Sequence, residues 1–174
     1  MARATFAVAF FLSLILCYTF CMHILFLFGG GSWDADARTL GVDYETRLAR
    51  TEKVSVQLVN SKETDAGKRR ADEGAKMLKG IDDKDFVIAF DERGARYASE
   101  KFAHVLEQAA SNSMRAVCIV GGAYGMSDAV RKRANVIISL SDMIFPHDLA
   151  RIMVLEQTYR ARAITHGSKY HHAG

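Results

Sequence analysis

The sequence predicts an α/β fold built on a parallel sheet, and three observations support this prediction. Short apolar runs, typical of strands buried on both faces, alternate along the chain with longer segments of helical period. Glycine and polar residues follow three of these runs, at 29–31, 91–94 and 121–125. The length of 174 residues, with 49% hydrophobic and 25% charged residues, fits one globular domain. Sheets of this class bind ligands at the carboxyl ends of their strands.

Apolar runs of four to six residues define the predicted strands. They lie at 23–28, 54–59, 86–90, 116–120 and 136–139. The run at 54–59 reads V-S-V-Q-L-V and alternates with period two, as a strand with one polar face does. The three glycines at 29–31 match neither dinucleotide-binding nor P-loop spacing, so we interpret them as a flexible turn.

Helical patterns and their boundary signals fill the intervals between the strands. Helices are predicted at 39–50, 64–79 and 99–110, with a short helix from Ser127 or Asp128 and a long one opening at 145–146. Gly80 is placed to end the second helix, and Ser99 is predicted to cap the third. Pro146, the only proline, suits a first helical turn, where its missing N–H leaves no bond unmade.

The last helix is predicted to bury an apolar face. Leu149, Ile152, Met153 and Tyr159 recur at spacings of three and four. Glu156 and Arg160 lie beside this stripe at spacing i,i+4, so we expect them to form an ion pair. Charges at the edge of a buried stripe indicate a binding site as well as a packing element.

Three loops are candidates for a ligand site because each follows a predicted strand. They come after Phe90, after Val120 and after Ser139. The pair Gly121-Gly122 either lets a ligand approach the backbone or makes a tight turn, and the pattern alone favours neither interpretation.

Charge and cysteine content exclude little. The net charge of +3 is too small to indicate nucleic-acid binding by itself, although basic residues cluster at 68–70 and 131–133. Cys17, Cys21 and Cys118 form no disulfide framework and no metal-ligand spacing, which indicates a reducing compartment and no metal site. Cys118 lies within an apolar run and is expected in the core.

Residues 1–21 form an apolar extension that allows three interpretations. The stretch 4–21 is about 18 residues long, near the lower limit for a membrane span. Its basic start and apolar middle also resemble a signal peptide. Alternatively, translation begins at Met22, just before the first strand, and the working domain is 22–174. We favour the third interpretation. The membrane is then not a partner; it would be one only if the extension is retained as an anchor.

Several ordered motifs resemble the RlmH family of SPOUT-class methyltransferases. They are I-V-G-G-A-Y-G-M-S at 119–127, S-L-S-D-M-I-F-P-H at 139–147, R-I-M-V-L-E-Q-T-Y-R-A at 151–161, Y-H at 170–171, D-E-R-G at 91–94 and S-E at 99–100. The resemblance covers about 22–172. One segment differs from the family: 29–36 is acidic where the family is basic and aromatic, which bears on how the amino-terminal half meets RNA.

The resemblance implies a SPOUT-type parallel sheet with helices on both faces and a carboxyl-terminal trefoil knot. It implies S-adenosylmethionine as methyl donor, no metal, and a homodimer in the cytoplasm. The residues that would line the cofactor pocket are Phe90, Gly121, Leu140, Ser141, Asp142, Met143, Ile144 and Phe145.

The implied reaction is methylation of N3 of a pseudouridine in 23S ribosomal RNA, on assembled ribosomes. Arg160, Tyr170 and His171 are the expected catalytic residues, because they can favour loss of the N3 proton and stabilise the resulting anion. Arg151, Arg162, Lys169 and the 131–133 cluster are expected RNA contacts. The alternative functions are a non-catalytic knotted RNA- or ribosome-binding protein and a membrane-anchored protein. The sequence does not identify the general base, the true start, or whether pseudouridine is required over uridine.

Overall fold

The computed structural model describes residues 21–112 and 114–171, which form five strands and five helices. The strands are β1 (His23–Gly29), β2 (Lys53–Val59), β3 (Phe86–Arg96), β4 (Ala116–Val120) and β5 (Val136–Ser139). The helices are α1 (Ala35–Leu48), α2 (Ala66–Lys79), α3 (Ser99–Ser111), α4 (Asp128–Arg133) and α5 (His147–Thr165). Residues 1–20, which make up nearly all of the predicted extension, lie outside the described residues, and so does His172.

All strands pair in parallel in one sheet of order β2-β1-β4-β3-β5, which confirms the predicted fold class. The central strands β1 and β4 are buried along nearly their whole length, as their continuous apolar runs predict. Parallel pairing brings the carboxyl ends of β3, β4 and β5 to the same edge of the sheet. The three predicted ligand loops therefore meet.

Helices cover both faces of the sheet, each over its own apolar cluster. Phe26, Ile88 and Cys118 point to one face, where α1, α3 and α5 pack through residues such as Leu48 and Leu155. The alternate side chains form the second cluster with α2 and α4, namely Leu25, Leu27, Val87, Val117, Met77 and Val130. Burial of these apolar side chains is the main force that holds the sheet edge in place.

The strand β3 continues past its predicted end at Phe90. Its pairing with β5 shifts register after Phe90 and resumes at Ala95, opposite Ile138. Gly94 makes this possible: a Cβ there would lie 2.6 Å from the carbonyl carbon of Ile138, so only glycine fits the approach. The motif D-E-R-G at 91–94 thus forms a bulge at the sheet edge.

The prediction that Ser99 caps α3 is wrong. Ala98 occupies the cap position, with no side-chain bond to the helix. Ser99 is the first helical residue, and its hydroxyl donates to Oε1 of Gln157 on α5 at 2.8 Å. The Ser99 hydroxyl therefore makes a tertiary hydrogen bond instead of the bond to the first helical turn that its local propensity predicts.

The predicted buried face of α5 is confirmed only in part: Tyr159 packs against the core, but the most buried side chains of the helix are others. Leu149 is 44% exposed, whereas Arg151 and Arg162 are 0% and 2% exposed. Arg151 donates to Asp148 at 2.7 Å and to the carbonyl of Gly29 at 2.5 Å. Arg162 binds the buried carboxylate of Glu52 at 2.7 Å. Because both guanidinium groups have buried partners, the face that carries them packs against the sheet.

Cys118 is buried as predicted, and burial raises the pKa of its thiol to about 12. We expect Cys118 in the folded protein to resist iodoacetamide at pH 8, since almost no thiolate is present there. Peptide mass mapping measures this, with protein unfolded in urea as the total. Labelling of Cys118 in the folded protein that equals the unfolded total would contradict the expectation.

No helix within residues 21–112 and 114–171 has the length and apolar character needed to cross a membrane.

Candidate functional site

A cavity of about 590 Å³ opens where β3, β4 and β5 end. Its size lies within the range of small-molecule sites. Seven of the eight residues predicted to line a cofactor pocket line this cavity, namely Phe90, Gly121, Leu140, Ser141, Met143, Ile144 and Phe145. The structure thus brings together residues that lie up to 55 positions apart in the sequence.

Glycine at the end of β4 sets the floor of the cavity. A Cβ on Gly121 would lie 2.7 Å from the carbonyl carbon of Gly125 and 2.9 Å from the nitrogen of Met126. Gly122 and Gly125 close the turn through an isolated bridge, and Gly125 has φ +76°, in the left-handed region that favours glycine. Of the two interpretations left open for Gly121-Gly122, the tight turn is therefore present, and it also exposes backbone to the cavity.

Charged side chains of both signs line one wall of the cavity. Asp91 is held by Arg131, with an Nη2–Oδ2 distance of 2.9 Å, and Arg131 also bonds Asp128 at 2.7 Å. Glu92 and Arg93, in the same bulge, are exposed and line the cavity as well. This wall can therefore meet a ligand that carries both positive and negative charge.

The loop after β5 supplies further lining residues of the cavity. Asp142, the eighth predicted pocket residue, is not among the lining residues and instead pairs with Arg96 of β3 at 2.6 Å. Both partners are largely exposed, so the pair adds little stability by itself. Met143 and Ile144 are 73% and 84% exposed, which leaves an apolar lip beside the opening.

A second group of site residues, which we call the tail cluster, lies around Glu156 of α5. Arg160 donates to Oε1 of Glu156 from Nε at 3.0 Å and from Nη2 at 2.6 Å, which confirms the predicted i,i+4 pair. The Tyr170 hydroxyl donates to the same oxygen at 3.1 Å. Gln157 donates to Oε2 at 2.6 Å. Arg160 also lies over the Tyr170 ring, 4.9 Å from its centroid.

The chemistry of this cluster follows from its hydrogen bonds. The bond to Glu156 raises the pKa of Arg160, which therefore stays charged. Burial raises the pKa of Tyr170, and its bonds to Tyr44 and Glu156 raise it further. Tyr170 thus remains a protonated donor well above neutral pH. The cluster presents a fixed cation and a fixed hydroxyl, which together can stabilise a developing anion.

His171 completes the tail cluster against α3. Its Nε2 lies 2.9 Å from Oε1 of Glu100, and its Nδ1 is buried without a hydrogen-bond partner. Three predicted catalytic residues, Arg160, Tyr170 and His171, are thus gathered at one place. None of them lines the cavity.

Two residues of the tail cluster were not predicted from the sequence, and two arginines outside the cluster were predicted with the wrong role. Glu100 and Gln157 were not assigned a role, although S-E at 99–100 was part of the motif pattern that pointed to the site. Arg151 and Arg162 were expected to contact RNA, but both are buried in ion pairs. Exposed Lys169 remains available for such a contact.

Across residues 21–112 and 114–171, no three His, Cys, Asp or Glu side chains are grouped so that they would hold a metal ion.

Comparison with known proteins gives concordant findings. A family model described as "Predicted SPOUT methyltransferase" matches residues 22–171. Ribosomal RNA large subunit methyltransferase H of Nitratidesulfovibrio vulgaris (strain DSM 19637 / Miyazaki F) is 43% identical over 132 residues, which is 74% of this chain and 85% of that protein. The protein of the same name from Caldicellulosiruptor saccharolyticus is 40% identical over 135 residues, or 74% and 86% of the two chains.

A solved structure shares the fold. The crystal structure of a probable methyltransferase from Bordetella pertussis Tohama I matches with a TM-score of 0.53 over 83% of this chain and 98% of that chain. Its sequence identity is 9%, so this likeness concerns the fold alone.

Proposed function

Because this chain belongs to the SPOUT methyltransferase family, we propose that it methylates N3 of a pseudouridine in the 23S RNA of assembled ribosomes. Methylation of ribosomal RNA is the activity named for its curated relatives, which it matches over 85% and 86% of their length. Members of the family use S-adenosylmethionine as methyl donor. The observation that carries the proposal is the cavity at the ends of β3, β4 and β5, with the tail cluster as a second set of reactive groups.

The cavity fits S-adenosylmethionine in size and chemistry. Gly121 lines the cavity with backbone and no side chain, which suits hydrogen bonding to an adenine edge. Leu140, Met143 and Phe145 supply apolar surface that can flank a flat base. The bulge side chains Glu92 and Arg93 offer charges of both signs, which suits the zwitterionic amino-acid end of the ligand.

The tail cluster has the groups that activation of an imide nitrogen needs. S-adenosylmethionine supplies an electrophilic methyl group. The N3–H of the uracil-like ring must be lost, and His171 is the proposed proton acceptor. Arg160, fixed before reaction by Glu156, then stabilises the negative charge that develops on the ring, and Tyr170 adds to this by turning its single O–H from Glu156 to the ring.

We propose that two copies of the chain form one complete site. The tail residues do not line the cavity of their own chain, so a single copy separates the methyl-donor pocket from the groups that act on the base. The exposed Met143, Ile144 and Leu149 beside the opening provide apolar surface for a second copy to cover. A symmetric dimer would place each tail cluster at its partner's cavity.

The carboxyl-terminal trefoil knot is also a proposal. The helix α5 leaves the edge strand β5, yet its second turn bonds to Gly29 at the end of β1, across β3 and β4. Such a crossing beside the loops after β3 and β4 supports a threaded chain.

We also propose residues 22–174 as the methyltransferase domain and 1–21 as an appended extension, supported by the family match from residue 22. A ribosomal substrate implies a cytoplasmic location.

The test is methyl transfer from labelled S-adenosylmethionine to assembled ribosomes that lack the modification. We expect label in the large-subunit RNA, located by mass mapping to N3 of one pseudouridine. Ribosomes with uridine at that position serve as the matched substrate control. Absence of transfer from a protein that binds the methyl donor would contradict the proposal and favour a non-catalytic ribosome-binding protein.

A mixing experiment tests the shared site. Gly121→Ala impairs the cavity and His171→Ala impairs the tail, so each variant alone is expected to have low activity. Random mixing makes half of the dimers heterodimers, and each heterodimer has one intact site out of two. The mixture should therefore regain about a quarter of wild-type activity. Activity that stays at the sum of the two variants would contradict a site shared between copies.

Gly121→Ala is expected to weaken S-adenosylmethionine binding about tenfold, because the added Cβ overpacks the turn at 125–126. Isothermal titration calorimetry measures the affinity. Gly31→Ala is the control, since a Cβ there would meet only the Asn60 side chain, at 3.6 Å or more. Equal affinity in the two variants would contradict the proposal that S-adenosylmethionine binds against Gly121.

A further inference from the structure

The first turn of α3 holds both halves of the tail cluster. Ser99 donates to Gln157, which in turn donates to Glu156, the common partner of Arg160 and Tyr170. The adjacent residue, Glu100, meets His171 at 2.9 Å. Two consecutive side chains of one helix therefore position the groups assigned to catalysis, although neither of them lines the cavity.

We infer that Glu100 is a positioning residue that fixes the ring orientation and tautomer of His171 for proton transfer. The inference rests on the proposed function, in which His171 accepts the N3 proton. An ionised carboxylate only accepts hydrogen bonds, so the imidazole Nε2 must donate to it. The lone pair of the neutral ring then lies on Nδ1, which is the nitrogen left to take a proton.

The surroundings of the pair support this arrangement. The pKa of Glu100 is lowered by its own backbone N–H and by the hydrogen bond with His171, so the carboxylate is ionised at neutral pH. Glu100 lies in the first turn of α3, where the exposed N–H groups favour negative charge. Nδ1 is buried without any hydrogen-bond partner in the described residues. An incoming imide N–H would satisfy this atom once the side chains that cover it move aside.

The carboxylate–imidazole contact also limits how the ring can rotate. The His171 side chain is 18% exposed, while that of Glu100 is 54% exposed. Without a partner at Nε2, the imidazole ring could flip between its two orientations. The carboxylate keeps one orientation, which is the role that outer carboxylates have toward functional histidines in other sites.

Glu100→Ala and Glu100→Gln test the inference, with Glu107→Gln as matched control. Glu107 lies on the same helix and also faces a histidine, His104, at 3.8 Å, but outside the tail cluster. We expect Glu100→Ala to lower kcat about tenfold or more, the size of effect that outer carboxylates have at other functional histidines, with little change in KM for ribosomes or in S-adenosylmethionine affinity. Glu100→Gln still accepts a bond and should recover part of the loss. Glu107→Gln should leave kcat unchanged.

A second measurement reads the contact directly in the free protein. Nitrogen-15 NMR of the His171 ring is expected to show an Nε2–H proton protected from exchange in the wild type and in Glu107→Gln. Glu100→Ala should lose this protection. Unprotected Nε2–H in the wild type would overturn the inference.

The outcomes separate the inference from the proposed function. If His171→Ala lowers kcat but Glu100→Ala does not, the role of Glu100 is overturned and the methyltransferase function stands. If Glu100→Ala raises KM without changing kcat, Glu100 only supports binding, and the inference is again overturned. If the wild type methylates no ribosomal RNA, the proposed function fails and the inference fails with it.

Discussion

Arg160→Ala is expected to lower kcat for ribosomal RNA methylation by about 10²–10³-fold, the size of effect seen when one preorganised anion-stabilising donor is removed. The guanidinium is fixed by two bonds to Glu156 and lies over the Tyr170 ring. Its removal leaves the half-buried Glu156 carboxylate without its cation, so the cluster would repel the developing anion. The affinity for S-adenosylmethionine should change little, because Arg160 does not line the cavity of its own chain and, in the proposed site, acts on the base.

Arg47→Ala is the matched control for this variant. Arg47 also lies over tyrosine rings, 5.6 Å from the centroid of Tyr44 and 5.9 Å from that of Tyr159, but it pairs with Asp43 rather than with Glu156. We expect a small effect on kcat. Single-turnover rates with saturating methyl donor measure both variants. Equal losses in the two, or a loss in Arg160→Ala that comes from methyl-donor affinity, would contradict the role assigned to Arg160.

Glu52→Ala is expected to destabilise the fold by about 3–5 kcal/mol, the cost of removing one partner of a buried ion pair. The Glu52 side chain is fully buried and accepts bonds from Arg162 at 2.7 Å and from the main-chain N–H of Met22 at 2.7 Å. His166 lies 3.2 Å from the same carboxylate. Alanine would remove the carboxylate that the 2%-exposed Arg162 guanidinium binds.

Urea unfolding followed by circular dichroism measures this loss. Glu63→Ala is the control, because Glu63 is exposed in the loop that precedes α2. It should change the free energy of unfolding by less than about 0.5 kcal/mol. The double variant Glu52→Leu/Arg162→Leu should recover part of the stability, since it replaces both charges of the buried pair with apolar side chains. A loss for Glu52→Ala as small as that for Glu63→Ala would contradict the structural role of the pair.

The sequence by itself determined the sheet, most helices and one ion pair, because these depend on local patterns. Apolar runs gave four of the five strands to within two residues, and Pro146 marked the start of α5. The spacing of Glu156 and Arg160 predicted their contact, since residues four apart on a helix are neighbours. The ordered motifs identified the loops that line the cavity.

Only the tertiary structure decided which face of α5 is buried and how the site residues are grouped. Periodicity placed Arg151 and Arg162 at the surface because it treats a charge as solvated. Arg151 has one local partner, Asp148, but its bond to the Gly29 carbonyl spans 122 residues, and the bond of Arg162 to Glu52 spans 110. No local pattern contains these two distant contacts. The same holds for Glu100, which is 71 residues from His171. Whether a charged side chain is buried depends on a partner that the fold brings to it, and the fold also separated the tail cluster from the cavity within one chain.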